Sequence, residues 1–147
     1  MQSNSPYDLS HVNIVRVTAP DPAAGLPGVL TLDTNWRYMP ILLSCQFATS
    51  AAVASRYPIW TTILRGSSYL IACTSQAQAA SLNWFYSASI GMGASSHCIA
   101  ALRISMMMPS PLIIESANDI TLSWFGIDEG DQVSGISGIF ARWPSNV

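Results

Sequence analysis

The sequence predicts an all-β fold, an antiparallel β-sandwich of short strands. Three observations carry this. Apolar residues recur at every second position in several stretches, the period of a strand with one buried face. No long stretch shows the 3.6-residue period of an amphipathic helix, and no self-similar repeat is present. Gly, Pro, Asn, Asp and Ser cluster between the alternating stretches, where they favour turns.

The elements follow in order. Residues 1–12 are polar, contain Pro6 and predict an extended N-terminal arm. Residues 13–147 form a single sandwich domain, long enough for a proper core. Asn13 to Thr18 reads as a short strand, and Ala19 to Gly28 as a loop with three prolines and two glycines. Val29 to Leu32 is a second short strand, followed by a turn at Thr34 to Arg37. Tyr38 to Ser50 is the cleanest strand, with Ile41, Leu43, Cys45 and Phe47 alternating against Leu42, Ser44, Gln46 and Ala48.

Arg56 to Arg65 is bulky on both faces, with Ile59 and Ile63 set against Trp60 and Leu64. Gly66-Ser67-Ser68 turns the chain into a returning strand, Tyr69 to Thr74. Ser75 to Ser81 has the composition of one helical turn but is too short to stand alone. Leu82 to Ala88 alternates again, and after the loop Gly91 to Ser96 so does Cys98 to Met106, with Arg103 and Ser105 facing away from the apolar set. Pro109 and Pro111 break the pattern. Asp119 to Ile127 and Gln132 to Trp143 are predicted to pair as a hairpin across Asp128-Glu129-Gly130-Asp131. Gly135 and Gly138 mark a bulge or a close backbone approach. About eight strands in two facing sheets is the jelly-roll number.

Only 10% of the residues are charged, against about a quarter in a typical soluble domain. The six cations are all Arg and the net charge is −2. Phosphate neutralisation by a basic patch is therefore not expected, which argues against nucleic acid as a partner. A surface this poor in charge does little to keep copies apart, which points to an assembly protein. Cys45, Cys73 and Cys98 form no CxxC pair and predict buried free thiols made in a reducing compartment, with one disulfide and one free thiol as the alternative. The first residues lack the pattern of a signal peptide, and no apolar run reaches the ~18 residues of a membrane helix. No membrane partner is expected.

The search for chemistry predicts no catalytic, cofactor-binding or metal site. His97 and Cys98 are adjacent and would point to opposite faces of a strand, so they make a poor metal pair. His11 lies at the junction of arm and first strand. Asp128, Glu129 and Asp131 surround Gly130 but do not complete a calcium loop, so a solvated turn is expected. No nucleophile elbow, P-loop or dinucleotide fingerprint occurs, and a non-enzymatic role is expected. Trp84 and Trp124 lie on core-type faces. Trp36 and Trp143 sit in a turn and near the tail, where aromatics either pack a satellite cluster or make contacts.

Three stretches carry a resemblance: Phe47 to Arg56 (FATSAAVASR), Ala77 to Ser81 (AQAAS) with the aromatic strand after it, and Ile127 to Ser134 (IDEGDQVS). In order and spacing, over roughly residues 38–142, they resemble β-sandwich virion proteins of tailed bacteriophages. Arg56 stands where that group opens a strand after a small-residue turn. Gly130-Asp131-Gln132 stands where it starts its final strand. The resemblance does not extend to residues 1–38. It implies a jelly-roll-like sandwich without catalysis and a structural role in the particle.

The expected function is then a capsid cement or decoration protein that clamps neighbouring copies of the major capsid protein on the virion surface. It would be made in the host bacterial cytoplasm. The arm would dock on a neighbour, and Trp60 and Leu64, turned outward, would be covered in a homo-oligomer. A trimer follows from analogy with the threefold positions of capsids. The alternative is a carbohydrate-binding or adaptor module of a tail or fibre, with Trp36 or Trp143 as a stacking platform.

Overall fold

Alternating apolar positions make nine strands in the computed structural model, which describes residues 12–64, 67–74, 77–91, 103–108, 112–115 and 119–145. The strands are β1 (Asn13–Thr18), β2 (Gly28–Leu30), β3 (Trp36–Ala48), β4 (Tyr57–Leu64), β5 (Ser67–Cys73), β6 (Asn83–Ile90), β7 (Arg103–Met108), β8 (Ile120–Phe125) and β9 (Gln132–Pro144). The predicted arm, His11, His97 and Cys98 lie outside the described residues. The predicted all-β sandwich is present, with nine strands among the described residues.

Hydrogen bonding runs in the order β1-β9-β3-β6-β7-β5-β4-β8-β2. The ladder folds over at the β7–β5 link, where a single residue pair, Cys73 with Met107, joins the two strands. β1-β9-β3-β6-β7 thus forms one layer and β5-β4-β8-β2 the other. All pairs are antiparallel except β6 with β7. Pairing is nested, β3 with β9, β4 with β8 and β5 with β7, as in a jelly roll.

The core lies between the layers. Phe47 of β3 stacks on Trp124 of β8 with ring centroids 4.0 Å apart, and Tyr86 of β6 meets the same indole edge-on. Burying each large ring contributes roughly 1.5–3 kcal/mol, and a well-placed aromatic pair about 0.5–1.5 kcal/mol more. Leu43, Ile104, Met106, Ile120, Leu122 and Phe140 fill the space around them. At the far edge β2 closes on β9, and a Cβ added to Gly28 would collide with the Ile136 side chain.

Two expectations need correction. β8 and β9 do not form a hairpin: β8 pairs with β4 and β2, and β9 with β1 and β3. Both strands aim their apolar sets at the same core from opposite layers, so the link between them is an arch. In β4 the inward and outward faces are exchanged. Trp60 is 0% exposed and Ile63 is 58% exposed. Trp60 gains more than Ile63 from burial, and the inward Thr62 satisfies its hydroxyl on the carbonyl of Asp119 at 2.9 Å. The described part of Ser75–Ser81, read as too short for a helix, forms none; Gln78 instead makes a two-way backbone bridge with Arg56.

Candidate functional site

A hollow opens on the outer side of the β1-β9-β3-β6-β7 layer. Between the pairs Ser44–Ser137 and Gln46–Ser134, β9 has two residues opposite the single Cys45 of β3. Gly135 takes a left-handed φ of 58° there, with nothing near its missing Cβ. Such a bulge re-aims the flanking side chains and leaves a depression in the pleated surface. The hollow holds about 300 Å³.

Register places one row of hydroxyl residues across all five strands: Thr18, Ser137, Ser44, Ser87 and Ser105. The Ser44 and Ser137 hydroxyls lie 2.9 Å apart. Arg16 stands two residues to one side of the row on β1. Arg103 stands two residues to the other side on β7, its guanidinium 6.0 Å from the centre of the Phe85 ring. Both arginines line the hollow, and among the described residues neither forms an ion pair. At the bulge, Asp21 Oδ1 accepts a bond from the Gly135 N–H at 2.8 Å.

A second polar cluster ties one end of the sandwich. Arg56 and Asp131 are both 0% exposed, with Nε donating to Oδ2 at 2.7 Å. The guanidinium also donates to the carbonyls of Ala52 and Ala54 and to the Ser50 hydroxyl. Asp131 accepts from the backbone N–H of Ser50 and of Asp128. Burial alone would raise its pKa, but the guanidinium and the two N–H donors outweigh burial and hold it below the ordinary carboxylate value. Gln78 donates to the carbonyls of Phe47 and Leu82 and accepts from the Tyr86 hydroxyl. Tyr86 itself is pushed up by burial and then by nearby Cys45, so it stays a donor.

The β3–β4, β5–β6 and β8–β9 connections all cross between layers here, as does β1–β2, whose Gly25 N–H bonds to the Asp131 carbonyl. In the turn Asp128–Asp131, expected to be solvated, Glu129 and Gly130 are exposed, while Asp128 is half-buried and Asp131 is anchored inside. The three stretches that carry the phage resemblance meet in this cluster.

The outer side of the other layer is different. β2, β4, β5 and β8 carry no charged residue on either face. Phe125 is 65%, Ile63 58% and Leu70 53% exposed, with Val29 and Tyr57 beside them. Thr61, Thr121 and Ser123 lie between.

Trp36 is half-buried against the core and carries the Arg142 guanidinium 4.3 Å from its ring centre. Trp143, also half-buried, pairs across β3 with Arg37. Cys45 is buried and Cys73 half-buried, both as free thiols, and burial pushes the Cys45 thiol far up. Among the described residues no group of side chains suits a metal ion. Sequence reading singled out neither the hollow nor Gln78. The alternation in β3 and β7 marked Ser44, Gln46, Arg103 and Ser105 as outward, but their convergence depends on strand order. No protein-family model, curated protein or solved structure matches the chain.

Proposed function

We propose that this chain is a structural assembly protein: a capsid cement or decoration protein of the tailed-phage kind, clamping neighbouring major capsid subunits on the virion surface. The observation that carries the reading is the charge-free outer face of β5-β4-β8-β2. It leaves Ile63, Leu70 and Phe125 more than half exposed without a Lys, Arg, Asp or Glu in its strands. Exposed apolar side chains spread over a face without charge suit an interaction site. The meeting of the three resembling stretches at one buried cluster supports the phage form of the reading. So does the sparse charge.

In this reading the face seats on the capsid or on further copies of the chain, with closed cyclic symmetry, as a trimer, covering it without forming fibres. The test is particle assembly with and without the protein. Heads lacking it lose resistance to heat or low salt, and wild-type protein added back restores it. The double variant Ile63→Lys, Leu70→Glu folds but does not restore it. Unchanged heads, or full rescue by the double variant, reject the role.

A further inference from the structure

We propose that the hollow between Arg16 and Arg103 binds a short acidic glycan, an oligosaccharide carrying carboxylate or sulfate groups. The site lies on the layer opposite the assembly face and does not depend on that reading.

The hollow's size, about 300 Å³, sits at the low end of small-molecule pockets. It suits one or two sugar rings of a chain several rings long. Its lining offers the Ser87 hydroxyl, the Ser44 hydroxyl, which also pairs with Ser137, and the carbonyl oxygen of Gln46, whose nitrogen donates to Asn83 Oδ1 at 2.9 Å. Sugar hydroxyls are donors and acceptors too, so the two surfaces satisfy each other. Phe85, 45% exposed, presents an aromatic ring at the wall, the usual partner for the C–H face of a pyranose.

The guanidiniums stand at diagonally opposite corners. The hydroxyl row between them crosses five strands about 4.8 Å apart, so it extends roughly 19 Å. A chain lying along the diagonal meets a guanidinium at either end, and each guanidinium matches a carboxylate or sulfate with paired N–H donors. A nucleic-acid backbone fits less well. It would bring a charge at every nucleotide to a site with two cations, past Asp21 at the bulge, on a chain of net charge −2. Isolated anionic groups separated by neutral hydroxyls match the actual pattern.

The experiment is a binding titration of the full chain with uronic-acid and sulfated oligosaccharides, their neutral counterparts, and a single-stranded oligonucleotide. Wild type is expected to bind at least one acidic oligosaccharide more tightly than its neutral counterpart. Arg103→Gln and Arg16→Gln each weaken it about tenfold or more, the loss of one charge-assisted contact. Phe85→Ala weakens acidic and neutral sugars alike. Both arginines are exposed, so the melting temperature of their Gln variants stays at the wild-type value. No preference for acidic over neutral sugars overturns the proposal. So does affinity indifferent to both arginines, or an oligonucleotide bound more tightly than every glycan.

Discussion

The two outer faces of the sandwich are built on the same inner pattern and end up with opposite characters. Inward, both layers supply aromatic and aliphatic side chains to one core. Outward, the β1-β9-β3-β6-β7 layer shows a row of hydroxyls, Arg16 and Arg103, and a hollow dented by a bulge, with Ile14 64% exposed on its edge strand. The β5-β4-β8-β2 layer shows Ile63, Leu70, Phe125, Val29 and Tyr57 with hydroxyls between them and no charge in its strands. Period-two alternation constrains the buried half of each strand and leaves the other half free. The difference between the faces therefore reports what each one meets, not what the fold requires. A wet, dented, cationic surface suits a soluble polar ligand. A neutral apolar one suits a large dry contact.

The comparison holds only if the faces stay locked together, and the tie at the crossing end locks them. Arg56→Ala has the largest expected effect. It leaves Asp131 buried without its cation, a loss of about 3–5 kcal/mol for a broken buried pair. Both layers should melt in one transition at a much lower temperature, read by far-UV circular dichroism and tryptophan fluorescence together. If Arg56→Ala melts like wild type, the layers are held by the core alone. If the two probes separate, the layers are independent units.

Acid acts on the same tie. The folded-state pKa of Asp131 is depressed, so its contribution to stability is fully present above the unfolded value, about 3.9. That contribution is lost as pH falls through the lower folded value. Denaturant midpoints should therefore drop below about pH 4. Asp131→Asn should lower stability at neutral pH and flatten the decline below it. An equally steep decline in the Asn variant assigns the acid sensitivity to other carboxylates.

Gly28→Ala probes the far edge, where β2 closes over β9. The new methyl would collide with Ile136, and overpacking of this kind costs about 1–3 kcal/mol. Ile136→Val in the same chain should return part of the loss. If the single change costs nothing, β2 is not held against β9 in solution.

These residues also show what could be read from the chain beforehand. The strands were legible because β3, β6 and β8 alternate cleanly over six or more residues. The bulge was legible because Gly135 interrupts such a run. The faces of β4 were not. Ile59 and Trp60 are equally apolar, and only the partner strands decide which turns inward. The β8–β9 arch was misread because a short Asp-Gly-rich link between two apolar runs has the same local chemistry in an arch and in a hairpin. Its distinguishing feature is a partner 75 residues away, Arg56. The hollow was hidden for the same reason: Arg16 and Arg103 meet it only through the order β1-β9-β3-β6-β7.

The smallest expected effect on stability is the one that sharpens the comparison of faces most. Ile63 is 58% exposed and Leu70 53%, so replacing either with Lys or Glu removes little buried area. Exposed positions of this sort change folding free energy by about ±0.5 kcal/mol. The melting temperature of Ile63→Lys should therefore match wild type, while self-association or particle binding falls sharply, because a charge in a dry contact must be desolvated without a partner. Sedimentation at several concentrations, beside a thermal melt, separates the two readouts. A Lys at position 63 that leaves association intact removes this face from the assembly. A Lys that unfolds the isolated chain means the face is covered by part of the chain itself, and the contrast between the two outer surfaces disappears.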